Sequence, residues 1–326
     1  MLLTWFHLQG TRMKITLCTL FEAHYHYGVA ALVNSLVSAG YEGTVWVGHR
    51  GPLPAWIVDR LGFDQTSARL QVTPKLELRA VELNPPVSLN YYKPTLMREI
   101  LEIHDPEADA VSYLDPDMVV KCNWATMQSW LSKDGIALVE DADWDMPANH
   151  PKRAKWRQFF AAHGENSVRE FDRYYNAGLV CIDRNRMDFL QTWERINARV
   201  AAESRSGMRD RKSGSPDSLF HSMDEDALNF ALTLCNTPLN AVGPEAMDFV
   251  PGGNRLSHAV GAAKPWQGRH FRRALQGRPP SVASQWFYRF ADGPLTPFSH
   301  AMLARRRLSM ALAAVVGRFW GGTQAV

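Results

Sequence analysis

The sequence predicts an α/β protein built on a mostly parallel mixed sheet flanked by helices. Two observations carry that prediction. Short apolar, strand-like runs alternate with helix-like segments through the first half of the chain. The run ending at Tyr113-Leu114 is followed at once by Asp115-Pro116-Asp117, two carboxylates one residue apart. In open α/β sheets, ligands sit beyond the carboxyl ends of the strands, where these aspartates fall.

The elements follow in order. Residues 15–20 read as a strand. Residues 28–38 read as a helix, with Gly40 as its stop. Residues 43–48 and 76–81 are the next strands. Residues 93–103 are helical, with Pro94 well placed in the first turn. Residues 110–114 form a buried strand that delivers Asp115 and Asp117, and 135–139 another apolar strand. The second half is less regular. It offers a strand over 175–183, an amphipathic helix over 186–202, and a surface loop over 204–216 rich in Ser, Gly, Arg and Lys. Residues 301–320 can form a basic amphipathic helix with Arg305, Arg306, Arg307 and Arg318. It fits either the face of an anionic membrane or a helix docked on the domain.

Composition narrows the function. The 326 residues are 46% hydrophobic and 21% charged, which is globular rather than disordered. A net charge of +3, with no basic stripe interleaved with aromatics, points away from nucleic acid. Cys18, Cys122, Cys181 and Cys235 are far apart and read as reduced core thiols, implying a reducing compartment. No signal peptide or spanning helix is visible, so a cytoplasmic protein is expected, with peripheral attachment to the membrane's inner face through the basic helix. A cleaner start at Met13 makes residues 1–12 look dispensable.

Alternation along a strand sends residues i and i+2 to the same side, so Asp115 and Asp117 can aim at one point and hold a hard divalent cation. A plain surface turn is the alternative, since Asp-Pro-Asp is good turn chemistry. The best companion is His258-Ala259-Val260-Gly261-Ala262-Ala263-Lys264-Pro265-Trp266. An imidazole is a good third ligand for a borderline cation such as Mn²⁺. Gly261 lets backbone approach a phosphate, and Lys264 adds a point charge for it.

That stretch resembles the H-x-x-G-x-x-K-P-W element of family 8 of the glycosyltransferases. Other elements stand in the same order: Tyr113 to Asp117 resembles its Asp-x-Asp strand end, Tyr175-Asn176-Ala177-Gly178-Leu179 its F-N-A-G segment, and Asp224-Glu225-Asp226-Ala227-Leu228-Asn229 its D-Q-D-x-L-N helix start. The resemblance runs from about residue 13 to 266. It implies the GT-A fold, a UDP-sugar donor, Mn²⁺ (or Mg²⁺) and retention of anomeric configuration. It implies a catalytic domain over 13–290, with a nucleotide-binding part to about 121 and an acceptor part beyond, and a tail over 291–326. The acceptor would be a glycan or a lipopolysaccharide-like glycolipid.

Carried over, the resemblance makes Asp115, Asp117 and His258 the metal ligands. Lys264 and the Gly261 backbone would hold the diphosphate. Asn176, Asp224 and, by a looser match, Asp141 would face the donor sugar. Glu22 and His24 fall where the family contacts uracil and ribose. Lys93 or Arg98 would add a cation near the phosphates, with Lys93 favoured because it opens its helix. Two departures stand out: Glu22 replaces the family's Asp, and Glu225 its Gln. Glu225 can be a nucleophile, a stabiliser of oxocarbenium character, or simply an acid at a helix N-terminus.

Other candidates are weaker. His24 and His26 form an H-x-H that reads as nucleotide loop rather than metal site. Trp144, Trp156 and Tyr174 can stack on acceptor sugars, though core is the favoured role. Arg269, Arg272 and Arg273 either extend a basic surface or are simply solvated. Two other classes stay in play. A sugar-phosphate nucleotidyltransferase should carry a Gly- and Arg-rich loop after the first strand, which Cys18-Thr19-Leu20-Phe21-Glu22 lacks. A non-catalytic nucleotide-sugar or glycan-binding protein would not need the full metal and phosphate set.

Overall fold

The computed structural model describes residues 13–60, 62–142, 146–203 and 218–320. The N-terminal segment, Trp144 and the loop expected over 204–216 lie outside them.

The strands are β1 (Ile15–Glu22), β2 (Gly43–Arg50), β3 (Phe63–Asp64), β4 (Arg69–Thr73), β5 (Leu76–Glu82), β6 (Ala110–Leu114), β7 (Met118–Val120), β8 (Ile136–Glu140), β9 (Tyr175–Asp183), β10 (Leu239–Val242) and β11 (Leu256–His258). Nine form one sheet in the order β10-β8-β9-β6-β1-β2-β5-β4-β3. β1 pairs in parallel with β2 and β6, β2 with β5, and β8 with β10. Only β4 and β9 run against the others. The expected mostly parallel sheet is therefore present. β7 and β11 make a separate antiparallel pair, with His258 opposite Met118.

The helices are α1 (His26–Ala39), α2 (Ala55–Val58), α3 (Lys93–Glu99), α4 (Trp124–Leu131), α5 (Pro151–Ala161), α6 (Met187–Glu203), α7 (Met223–Ala231), α8 (His270–Leu275), α9 (Val282–Phe290) and α10 (His300–Trp320). Gly40 ends α1 in the left-handed conformation, and Pro94 stands at the start of α3. The helix read over 93–103 changes at Ile100 into a π-helical turn, Ile100–His104.

Two cores follow from the two faces of β1. Ile15, Leu17 and Phe21 point into one, with α1 and α4. Cys18 and Leu20 point into the other, with α3, α5, α6 and α7. Trp156 and Tyr174 belong to that second core and are almost fully buried, which removes them as exposed stacking platforms. Cys18 and Cys181 are buried thiols; burial raises the Cys181 pKa to about 12. A third cluster joins Trp266, Phe287, Tyr288, Phe298 and Leu303, and seats α10 on the body of the protein.

Candidate active site

Five elements deliver their ends to one edge of the sheet. β1 ends at Glu22, β6 leads into Asp115, and β8 leads into Asp141. β9 runs the other way, so its start, with Asn176, arrives at the same edge. α7 begins there, with Asp224 and Glu225 in its first turn. A pocket of about 270 Å³ opens between them, lined among others by Glu22, Asp115, Asp117, Asn176, Glu225 and His258.

Asp115, Asp117 and His258 each bring one ligand atom to within 4.8 Å of the others. The β7–β11 pair causes this, because pairing His258 with Met118 sets the imidazole beside Asp117. His258 Nε2 lies 3.1 Å from Asp117 Oδ1 and 3.6 Å from Asp115 Oδ2. Gly178 makes the space: a Cβ there would stand 2.6 Å from His258 Cε1. Two carboxylate oxygens and an imidazole nitrogen suit a divalent cation such as Mn²⁺.

The charges also fit a cation. Asp115, Asp117, Asp141, Asp224 and Glu225 face the pocket, against the ammonium groups of Lys93 and Lys264. Lys264 donates to Asp117 Oδ2 and to the Ala259 carbonyl. Burial opposes ionisation of Asp117, but Lys264 and His258 outweigh it and hold its carboxyl far below the usual range. Gly261 sits at the pocket with φ 85°, a conformation open to glycine.

Lys93 is 2% exposed and lies behind the carboxylates. Its ammonium reaches Asp115 Oδ1 at 3.2 Å, Asp224 Oδ2 at 3.1 Å and the Ala177 carbonyl at 3.0 Å. Burial disfavours its charge, yet Asp115 and Asp224 prevail and raise its pKa. Three acceptors for three N–H groups make it a clamp within the site rather than a free phosphate ligand. Arg98 is not at the site. It bonds to Glu194 and Glu102 instead. Five residues along a helix rotate a side chain by about 140°, so Lys93 and Arg98 cannot face the same edge.

Asn176 Nδ2 donates to Asp141 Oδ2 and to Glu225 Oε1, both at 2.8 Å, while its Oδ1 accepts from the Gly178 N–H. Burial, then the charges of Asp224 and Asp141, push the Glu225 carboxyl well above the usual glutamate range. The acid run at the start of α7 divides its work. Asp224 and Glu225 face the pocket; Asp226 accepts from Tyr174 Oη and the His221 N–H, and Asn229 bonds both backbone groups of Tyr175. Asp226 and Asn229 thus dock the helix on β9.

Glu22 lines the pocket and is held by Arg50 at 3.1 Å. His24 does not line it; its Nδ1 accepts from Trp266 Nε1 at 2.8 Å. His26 Nδ1 accepts from Trp56 Nε1, so the two histidines of the H-x-H serve separate indoles. Residues not anticipated from sequence include Tyr113, whose hydroxyl donates to Asp115 Oδ1 at 2.8 Å. Its position two residues before Asp115, on the same side of the strand, was the available signal. Tyr25 and Asn90 also line the pocket, and no motif marks them.

No protein-family model matches this chain, and no curated protein matches it in sequence. Solved structures do. The galactosyltransferase LgtC in complex with donor and acceptor sugar analogues is 17% identical, with a TM-score of 0.53 over 89% of this chain and 99% of that one. An active-site mutant of LgtC carrying glutamate for glutamine is 18% identical, with a TM-score of 0.52 over the same shares. The apo bifunctional glycosyltransferase WbbM is 14% identical, with a TM-score of 0.51. Its match covers 86% of this chain but only half of the WbbM chain. At these identities the likeness concerns fold: the chain has the GT-A-type architecture of these glycosyltransferases.

Proposed function

We propose that this protein is a retaining glycosyltransferase that moves a hexose from a UDP-sugar to a glycan or glycolipid acceptor. One observation carries the reading: Asp115, Asp117 and His258 converge beside Lys264 at the sheet edge where a GT-A fold receives its donor. The similar structures are of glycosyltransferases, one holding donor and acceptor sugar analogues, which supports the same reaction class.

Asp115, Asp117 and His258 would hold Mn²⁺ or Mg²⁺, which supplies Lewis-acid stabilisation of the departing diphosphate. Lys264 and the Gly261 backbone hold the same diphosphate, where negative charge grows as the glycosidic bond breaks. Glu22 faces the nucleoside. Asp141, held by Asn176, and Asp224, held by Lys93, give the donor-sugar side a negative potential suited to oxocarbenium-like charge, with Glu225 beside them. Glu225 is native here at the place where the family-8 pattern has glutamine, and one similar structure is an active-site mutant of LgtC that carries glutamate for a glutamine.

The test is a panel of nucleotide sugars with Mn²⁺, scored by released UDP. Turnover of a UDP-hexose, enhanced by a glycan acceptor, supports the reading. Release of pyrophosphate from a sugar phosphate and UTP would instead assign a nucleotidyltransferase, and binding without turnover a non-catalytic protein.

A further inference from the structure

We propose that Arg50 sets which nucleobase the site accepts, by holding Glu22 and the segment before Leu89 as one wall. This rests on the nucleotide-sugar reading and deepens it. Arg50 ends β2 and stands directly across from Glu22, which ends β1. Glu22 lines the pocket and Arg50 does not. The guanidinium ties two segments together. Its Nη1 donates to Glu22 Oε2 at 3.1 Å, while Nη2 donates to the Pro85 carbonyl at 2.9 Å and to the Val87 carbonyl. That second segment leads into Leu89 and Asn90, which line the same pocket. Three acceptors on one planar fork distinguish this from a solvated surface pair, whose partners turn away freely.

The tie matters because of side-chain length. Glu22 has one more methylene and one more torsion than the aspartate of the family-8 pattern, so it has more conformations to lose on meeting a base. Arg50 occupies Oε2 and leaves Oε1 without a partner among the described residues. A carboxylate only accepts hydrogen bonds. Uracil meets it with its ring N3–H. Cytosine presents an unprotonated N3 there, and its one edge donor is the exocyclic amino group, displaced along the base. A carboxylate fixed in place separates the two bases; one free to swing reaches either. The mismatched base then leaves a polar group of the site unpaired, which is what makes such discrimination strong.

The experiment is calorimetric titration of the full chain with UDP and with CDP, each with Mn²⁺. The parent should bind UDP at least about 30-fold tighter than CDP. Arg50→Met should weaken UDP by about tenfold and leave CDP nearly unchanged, so that the ratio falls to about threefold. Arg50→Lys should fall between, since one ammonium can reach Glu22 but lacks the fork that bridges both segments. Affinity for Mn²⁺ alone should stay as in the parent, because Arg50 bonds to none of Asp115, Asp117 and His258. If Arg50→Met lowers the thermal unfolding midpoint, Arg50→Lys alone decides. A UDP-to-CDP ratio that the variants leave intact would overturn the inference, as would equal weakening of both nucleotides. A parent that binds UDP and CDP alike would overturn it too. A parent that binds neither would overturn the nucleotide-sugar reading itself, and this inference with it.

Discussion

Lys93 Nζ stands 3.2 Å from Asp115 Oδ1, and the same ammonium spans 3.1 Å to Asp224 on the other side. One buried cation thus couples the metal-ligand set to the acidic side of the pocket. Removing it with Lys93→Met should leave two carboxylates facing each other without compensation. The expected loss is about 3–5 kcal/mol of stability, read by urea unfolding. Added Mn²⁺ should recover part of it by neutralising Asp115. A variant as stable as the parent would show that the clamp is incidental.

Asp117→Asn keeps the shape of the side chain and removes its charge. Lys264 and His258 both lean on that charge. Mn²⁺-dependent donor binding should fall by roughly 10²-fold, measured by calorimetry with UDP and Mn²⁺. Undiminished affinity would place the cation elsewhere.

Glu225 should make stability fall toward alkaline pH. Its folded-state pKa is raised, first by burial and then by Asp224 and Asp141. The native state therefore holds the proton more tightly than the unfolded chain. That contribution is full below the unfolded value of about 4.3 and is lost as pH rises through the raised folded value. Glu225→Gln should flatten this dependence and raise stability at alkaline pH. If Glu225 also stabilises charge on the donor sugar, turnover falls in the same variant; near-wild-type turnover would leave it only a structural role.

Gly178→Ala should disturb the site from within the sheet. The added Cβ meets His258 Cε1 at 2.6 Å and Asn176 Oδ1 at 2.7 Å, so both must shift. We expect a loss of about 1–3 kcal/mol in stability and 10–100-fold in metal affinity. Unchanged metal affinity would mean that His258 can move without leaving the site.

Much of the fold was legible because its signals are local. Alternation of apolar runs fixed β1, β2, β5 and β6; Gly40 and Pro94 marked helix boundaries through their own backbone preferences. The reversed β9 was legible as a strand but not in its direction, because direction is set by the connection and not by the residues. Arg98, the less favoured alternative to Lys93, pairs with Glu194 and Glu102, partners that charge and spacing along one helix do not reveal.

The sequence by itself determined the inventory: an acid pair at a strand end, a histidine and lysine in one segment, three acids at a helix start, and a basic C-terminal helix. These follow from residue type and short spacing. Only the tertiary structure decided the partnerships. Strand pairing of β7 with β11 carried His258 to Asp117 across the chain. The antiparallel β9 put Asn176 between Asp141 and Glu225. Burial turned Lys93 from a presumed phosphate ligand into a clamp. Such contacts join residues distant in sequence, and their geometry is fixed by the packing of whole elements around a shared core.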